Sequence, residues 1–516
     1  MDLPFPAHEI ALFHQVTCQN ASLSVDQQTW RDLELDCYLD QLSPELSIFG
    51  QQSLHQRLSA GASEQEAAAT GSRIQALLQD KTLLGELHDS CRPLRETVTE
   101  ISAALFRDQV PPAPRWLPLL PWLPLFTSVA LLLSFISLYA LIAVAIGGAV
   151  LIGLQLRMHR ELEAWSDIRA ALRKLLGVSS ALAALAERGS QQSQQLLHAF
   201  CDTHARAITV NRRLTPSPYL YAMPLISAYA DWLCLANIRH YFRALANFQL
   251  HRDFLQQCFI KVGQLEADIA LARHLAGQPQ FCWARRHTEN RLALDEVVHP
   301  LLKRATPMSV EIRDKGIFLS GQNGIGKSTL LRAIGINLLT ARAFGFCYAR
   351  QAHAPALNVR TSILVEDSLA AGESLYMAEL RRARELLEFA QSAKPGIIII
   401  DEIFRGTNHL EGISAAAAVL HTLAGQSLLV VSSHNLVLAP LLAGRLLPYR
   451  IERRDPQQGS PAGLSLAPGI LAETNGIAML SAGDFGEDIR RKAGQVHSWL
   501  SSSLVDMVTV PALTEP

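Results

Sequence analysis

The sequence predicts an α/β domain that follows helical regions and a transmembrane helical hairpin. A glycine-rich loop begins at Gly321, and a run of isoleucines ends in the acidic pair Asp401 and Glu402. No charged side chain occurs from 116 to 154. The first two features predict a phosphate-binding α/β domain in the C-terminal half of the chain, and the third predicts a membrane segment well before it.

The glycine-rich loop has the spacing G-x-x-x-x-G-K-[ST], from Gly321 to Ser328. A strand-like segment, 316–320, precedes it and a helix-like segment follows, which is the context that a phosphate-binding loop requires. Backbone N–H groups and the helix N-terminus bind phosphate oxygens in such a loop. We therefore expect ATP as the ligand, with Lys327 at its β- and γ-phosphates and Ser328 on Mg²⁺. The predicted nucleotide-binding residues are Gly321, Gln322, Asn323, Gly324, Ile325, Gly326, Lys327, Ser328 and Thr329.

The isoleucine run, 397–400, is typical of a strand that is buried on both faces of a parallel sheet. It ends in two carboxylates at the edge where α/β folds bind their ligands. We expect Asp401 to hold Mg²⁺ together with Ser328, and Glu402 to be the catalytic base that polarises the attacking water. A later strand that ends in Ser-His places His434 within reach of the γ-phosphate. This combination predicts a nucleoside triphosphatase.

A further candidate lies between these two motifs. A Gly-Glu-Ser turn is followed by a helix start at Ser374. A helix N-terminus can bind an anion, but a serine at this position also fits a plain N-cap.

These residues together resemble the MutS family of ATPases. The motifs that carry the resemblance are N-G-I-G-K-S-T at 323–329, D-S-L-A-A-G-E-S-L-Y-M-A-E at 367–379, D-E-I-F-R-G-T-N-H-L-E-G at 401–412 and S-S-H-N at 432–435. Weaker elements lie upstream, at 297–302, and downstream, at 474–493, so that the resemblance covers roughly 295–495 in the family's order. The chain departs from the family pattern at Ile325, Leu375 and Asn435, where the family has glycine, threonine and an aromatic residue.

The resemblance implies an ABC/MutS-like ATPase fold and a homodimer with two composite ATP sites. Residues of the nucleotide site would act within one subunit, and Ser374 would reach the γ-phosphate of the opposite subunit. The resemblance also implies DNA binding or processing. In family members that recognise mismatches, an N-terminal motif similar to G-x-F-[YF]-E supplies a phenylalanine that stacks on the mispaired base. No such motif occurs in 1–115. Mismatch recognition itself is therefore not expected.

The uncharged run spans 39 residues. One helix of that length would extend roughly 58 Å, twice the ~30 Å hydrocarbon core of a bilayer. Two antiparallel spans of about 18 residues, with a turn near 134–139, fit better. Arg115 flanks one end and Arg157 the other, and positive charge at both ends favours two cytoplasmic ends. We therefore expect an anchor in the inner (cytoplasmic) membrane, with the N-terminal region and the ATPase domain in the cytoplasm.

The rest of the chain is predicted to be mostly helical, and Gly177 resembles a helix C-cap. The predicted organisation is a helical N-terminal region (1–110), the two-span hairpin (116–156), a helical core or lever-like region (157–292), the ATPase domain (293–452) and closing helices (469–500).

The distribution of charge and the spacing of the cysteines say less about function than the motifs do. Residues 1–115 carry eight basic and sixteen acidic side chains, which make a poor nucleic-acid surface, whereas 157–300 carry seventeen and twelve, which permit DNA contact. The eight cysteines form no C-x-x-C pair and are typical of reduced thiols. No metal other than Mg²⁺ is indicated.

Two alternative functions remain open. An ATP-gated membrane scaffold that acts on an unknown protein partner would use the same motifs without DNA. An ABC-type transporter ATPase would need an L-S-G-G-Q signature between the nucleotide motifs, and the similar letters at 319–322 lie inside the phosphate-binding loop itself.

Overall fold

The computed structural model describes the chain in two compact units. Unit 1 comprises Met1–Cys18, Ser43–Gln56 and Arg73–Arg273, and unit 2 comprises Gln19–Leu42, Arg57–Ser72 and His274–Pro516. Within these units the described residues are 5–18, 24–44, 46–107, 113–215, 224–285, 291–355, 357–366, 374–392, 396–453, 463–471 and 486–504.

Helices dominate the described residues before the first strand. They are α1 (Ala7–Thr17), α2 (Gln27–Asp32), α3 (Leu35–Leu42), α4 (Ile48–Ala60), α5 (Glu64–Gln79), α6 (Lys81–Cys91), α7 (Trp122–Leu133), α8 (Tyr139–Arg188), α9 (Gln191–Leu196), α10 (Thr203–Leu214), α11 (Pro224–Leu233), α12 (Ala236–Leu250) and α13 (Arg252–Ala276). Short 3-10 or π turns occur at Arg92–Glu96, Ala103–Arg107, Leu117–Leu119 and His198–Phe200.

Helix α8 is 50 residues long and organises unit 1. Its C-terminal half buries Trp165, Leu172, Leu176 and other side chains, and it packs on α10 and α12. The expected C-cap at Gly177 is wrong, because the helix continues through this residue to Arg188. A glycine in a helix interior costs roughly 1 kcal/mol relative to alanine, and burial of the apolar neighbours on both sides of Gly177 outweighs that cost.

Helices α7 and α8 form a helical hairpin whose connection, 134–138, lies where the sequence predicts a turn. The helices approach closely: a Cβ on Gly147 would lie 2.1 Å from Cγ2 of Thr127. Helix α7 has 12 residues and rises only about 18 Å, which is too short for a bilayer. Among the described residues, α8 is the helix that is long and apolar enough to cross a membrane. The prediction of two membrane spans is therefore not supported.

The described residues of unit 2 form three sheets. The strands are β1 (Cys282–Trp283), β2 (Leu292–Val297), β3 (Met308–Ile312), β4 (Gly316–Ser320), β5 (Phe346–Cys347), β6 (Gln351–His353), β7 (Asn358–Ser362), β8 (Gly396–Asp401), β9 (Leu428–Ser432), β10 (Leu446–Arg453) and β11 (Leu464–Pro468). The helices are α14 (Lys327–Phe344), α15 (Leu375–Ala390), α16 (His409–Gln426), α17 (Leu438–Leu441) and α18 (Glu487–Leu504).

The main sheet has six strands in the order β11-β10-β4-β9-β8-β7. Strands β10, β4, β9, β8 and β7 run parallel, and β11 pairs antiparallel with β10. The isoleucine run in β8 alternates between the faces of the sheet. Ile397 and Ile399 pack in the cluster that contains α14, whereas Ile398 and Ile400 pack with α15 and α16. The expected buried parallel strand and the helices on both faces are present, as an α/β P-loop domain requires.

Helices α2 and α3 also belong to unit 2, although they lie near the N-terminus. Leu33 and Leu35 are fully buried in the same cluster as α14. A Cβ on Gly335 of α14 would lie 2.5 Å from the Leu33 side chain, so a larger residue would collide with it. The region that the sequence treats as one N-terminal block, 1–110, is thus divided between the two units, because its apolar side chains complete the core around α14.

Candidate ATP site

The phosphate-binding loop connects β4 to α14. Gly324 and Gly326 have φ angles of 74° and 104°, which glycine adopts without strain. Gly326 is the N-cap residue of α14, so the first N–H groups of that helix face the loop. Ile325 is not among the described residues with positive φ. The isoleucine therefore meets no backbone penalty where the MutS pattern has glycine, and its side chain packs on the core beside α14.

Lys327 lies at the start of α14 and is buried. Its Nζ donates hydrogen bonds to the carbonyl oxygens of Gly321 (2.9 Å) and Gln322 (3.3 Å). Burial lowers the pKa of Lys327, while the carboxylates of Asp401 and Glu402 act in the opposite direction. The ammonium group is thus held at the mouth of the loop between carbonyl and carboxylate oxygens, where it can pair with a phosphate oxygen.

Asp401 connects the ends of two strands. Its carboxylate accepts hydrogen bonds from the hydroxyl groups of Ser328 and Ser432. Ser432 stands opposite Asp401 in the register of β8 and β9, and opposite Leu319 in β4. The hydroxyl of Ser328 and the carboxylate of Asp401 are hard oxygen donors of the kind that Mg²⁺ prefers, with waters and phosphate oxygens as its other ligands. Among the residues that the structure describes, no group of three or more His, Cys, Asp or Glu side chains is arranged to hold a metal.

Glu402 follows Asp401 and faces His434. The two side chains are 3.0 Å apart, from Oε1 to Nε2, and Nε of Arg405 lies 3.8 Å from Oε2 of the same carboxylate. The backbone N–H of Glu402 donates to the carbonyl oxygen of Ser432 (2.9 Å). Glu402 has a φ angle of 61°, an unfavourable value for a non-glycine residue that occurs at functional sites. The carboxylate is thus held next to a second polar group at the edge where a nucleotide would bind.

Ser374 occupies the N-cap position of α15 and is exposed. Its side chain makes no capping hydrogen bond. The remainder of the turn before it, 367–373, lies outside the described residues. The role of Ser374 at the ATP site of a second subunit remains a prediction, and so do the roles of Gln322, Asn323 and Thr329.

Glu379 is a site residue that the sequence reasoning did not single out. Its buried carboxylate accepts hydrogen bonds from the backbone N–H groups of Arg405 and Gly406, each 3.1 Å long. A Cβ on Gly406 would lie 2.7 Å from the backbone nitrogen of Tyr376, so the loop after Glu402 packs directly on the start of α15. One sequence signal points to this residue: Glu379 is the last residue of the MutS-like motif at 367–379.

The geometry defines a P-loop ATPase-type domain. Residues 317–498 match the family model "MutS domain V". The resemblance to the MutS family that the sequence motifs carry is thus confirmed for residues 317–498.

Curated relatives give the same result. The chain is 26% identical to a "DNA mismatch repair protein MutS" of Thermus aquaticus over 219 residues, 42% of this chain and 27% of that protein. It is 31% identical to the protein of the same name from Leptospira interrogans over 180 residues, 32% of this chain and 21% of that protein. The chain therefore matches about a quarter of the length of these relatives.

Proposed function

We propose that this protein binds and hydrolyses ATP with Mg²⁺, and that hydrolysis drives a conformational change in a homodimer. The observation that carries the proposal is the meeting of five predicted side chains at one edge of the main sheet. They are Lys327, Ser328, Asp401, Glu402 and His434, contributed by α14 and the ends of β8 and β9.

Each side chain has a distinct task in this proposal. The loop amides and the N-terminus of α14 bind the phosphates, and Lys327 neutralises the β- and γ-phosphates. Ser328 and Asp401 would hold Mg²⁺, which would supply positive charge to the phosphate oxygens. Glu402 accepts a hydrogen bond from the attacking water and orients it, while His434 contacts the γ-phosphate and holds the Glu402 carboxylate.

The second subunit would complete the site. Ser374 is exposed at the N-terminus of α15 and is not engaged as a cap, so its hydroxyl and the helix N-terminus are available to an anion. We propose that they bind the γ-phosphate of the opposite subunit's ATP. ATP would then close two composite sites, and hydrolysis would open them.

The apolar half of α8 and helix α7 support membrane attachment. Large side chains in this hairpin are strongly exposed, including Phe135, Ile136 and Leu138. Soluble proteins rarely expose a contiguous apolar surface of this extent. We propose that the hairpin inserts in the inner (cytoplasmic) membrane, with α8 as the spanning helix, and that the N-terminal region and the ATPase domain lie in the cytoplasm.

We propose DNA as the target of the conformational change, because the relatives carry the name DNA mismatch repair protein. The alternative target is a protein partner at the membrane, and the apolar hairpin favours it because a membrane location restricts access to DNA. Binding of the full chain in detergent to homoduplex, mismatched, branched and single-stranded DNA, with and without ATP, separates the two. Nucleotide-dependent binding with a structure preference supports DNA processing, and no binding at low salt with intact ATP hydrolysis supports the protein partner.

Glu402→Gln tests the ATPase proposal directly. We expect ATP binding to persist and turnover to fall by about 10²–10³-fold, because the amide cannot act as a base. Glu187→Gln, at an exposed position of α8 outside the nucleotide motifs, is the matched control and keeps wild-type turnover. Turnover by Glu402→Gln at the wild-type rate would contradict the mechanism.

A further inference from the structure

Helix α2 covers the outer edge of the main sheet beside the candidate ATP site. Strand β7 is the last strand of that sheet, and an edge strand exposes unpaired backbone groups. The N–H of Thr361 in β7 donates to Oγ1 of Thr29 in α2 (3.0 Å). Both side chains are fully buried, so α2 replaces the missing neighbouring strand at this point.

Asp32, at the end of α2, binds the chain directly after β7. Its carboxylate accepts hydrogen bonds from the Thr361 hydroxyl (2.6 Å) and from the backbone N–H groups of Ile363 and Leu364, both 2.9 Å long. Asp32 is fully buried. Asp32 thus fixes the backbone of the described segment that directly follows β7.

Asp26, at the other end of α2, pairs with two buried arginines. Its carboxylate lies 2.9 Å from Nη1 of Arg382 and 3.1 Å from Nε of Arg360. Nε of Arg382 also donates to the carbonyl oxygen of Thr361 (3.0 Å). Burial would raise the pKa of Asp26, but the two arginines and Thr29 lower it below its ordinary value. Asp26 is therefore ionised at neutral pH. Its negative charge neutralises the buried positive charges of Arg382 in α15 and Arg360 in β7.

Arg382 and Glu379 lie one turn apart on α15. Glu379 holds the backbone of Arg405 and Gly406, just after Glu402. The same helix is thus fixed at Arg382 by Asp26 and at Glu379 by the loop that follows the catalytic carboxylate. Its N-terminus carries Ser374, so any shift of α15 would change the position of that hydroxyl.

We propose that α2 is a built-in brace for the ATPase: Asp26 holds α15 through Arg382, Asp32 holds the end of β7, and together these positioning residues place Ser374 to meet the opposite subunit's ATP. This inference rests on the proposed ATPase function. The brace, defined as Asp26–Asp32, acts within its own subunit and touches no part of the nucleotide loop through these two carboxylates. It is expected to affect hydrolysis by the dimer and not the affinity of one subunit for ATP.

The test uses the full chain in detergent and compares Asp26→Asn with wild type. Asparagine keeps the capping hydrogen bond that Asp26 accepts from the Thr29 N–H, and it removes the charge that faces Arg360 and Arg382. We expect kcat to fall about tenfold and ATP-driven dimerisation to weaken, while ATP affinity of the monomer stays within about twofold. Asp40→Asn, at an exposed site on α3, is the matched control and leaves all three quantities unchanged.

Two further measurements test whether Asp26 positions α15. Amide hydrogen exchange in α15 should accelerate about tenfold in Asp26→Asn, and Asp26→Glu should restore both the exchange rate and kcat in part. Unchanged kcat and exchange, or a loss of ATP affinity that parallels the loss of kcat, would overturn the positioning role. If wild type itself shows no turnover, the ATPase proposal fails, and exchange in α15 alone then decides whether α2 braces this helix.

Discussion

Two regions of this protein use the same apolar residue types in opposite ways. In β8, four consecutive isoleucines are all fully buried between α14 on one face and α15 and α16 on the other. In the α7–α8 hairpin, Phe135, Ile136 and Leu138 are more than 80% exposed. The protein's own helices cover the apolar side chains of the first region, whereas those of the second are left exposed.

This difference shows that apolar composition predicts burial only where the chain supplies a covering layer. Strand β8 has helices on both faces and parallel strands on both sides, so its side chains leave water completely. The hairpin packs one face of α7 against α8 through Thr127 and Gly147. We propose that a lipid bilayer covers its other faces.

The largest expected effect comes from charges in the exposed half of α8. Ile142→Arg with Ile146→Arg should abolish retention in the membrane fraction, because each arginine at the centre of a spanning helix costs roughly 2.5–3.5 kcal/mol. ATP hydrolysis by the extracted protein should persist. Carbonate extraction followed by immunoblotting measures retention.

The control places two arginines elsewhere in the same helix. Ala164→Arg with Ala181→Arg changes exposed positions of α8 beyond its apolar half and should keep membrane retention. If both double variants stay in the membrane fraction, the apolar half of α8 does not span a bilayer and its exposed surface binds something else.

An intermediate effect is expected at Glu266, which is buried in unit 1. Burial raises the pKa of Glu266 from 4.5 to about 7, although a hydrogen bond from Ser47 opposes the rise. The folded state therefore binds the proton more tightly than the unfolded state. The resulting stabilisation is complete below about pH 4.5 and is lost as the pH rises to about 7, and it amounts to roughly 3 kcal/mol.

Glu266→Gln removes this pH dependence. The variant should be more stable than wild type at pH 8, by up to about 3 kcal/mol, and similar to it at pH 4.5. Urea unfolding of the detergent-solubilised chain at both pH values gives the two free energies. Glu187→Gln, at an exposed position, should change neither, and a wild-type pH profile in Glu266→Gln would exclude Glu266 as the source.

The smallest effect compares two adjacent glycines of α8. A Cβ on Gly147 would collide with Thr127, whose hydroxyl is fixed by hydrogen bonds to the carbonyl oxygens of Leu123 (3.1 Å) and Pro124 (2.9 Å). Gly147→Ala should therefore destabilise the hairpin by about 1–3 kcal/mol. Nothing lies within 4 Å of a Cβ on Gly148, so Gly148→Ala should stabilise the helix by roughly 0.5–1 kcal/mol. Thermal unfolding in detergent compares them, and equal shifts would mean that α7 does not pack on Gly147.

Much of the candidate ATP site could be predicted because its sequence signals lie within short segments. The glycines of the loop are required by positive φ angles at Gly324 and Gly326, and the isoleucine run identifies a strand buried on both faces. Glu379 was not predictable as a site residue from such signals, because its partners are backbone N–H groups of a loop 26 residues away. Gly177 has the local pattern of a helix end, but burial of its neighbours in α8 outweighs that pattern.

The sequence by itself determined the α/β nucleotide domain, the family and the position of the apolar hairpin turn, since each depends on residue spacing within a short segment. Only the tertiary structure decided that α2 and α3 belong with the ATPase unit and that Asp26 and Asp32 bind α15 and the end of β7. These contacts join residues more than 300 positions apart. A carboxylate at the end of a short helix gives no local sign of its partner, because the edge strand that needs its hydrogen bonds exists only after the sheet has formed.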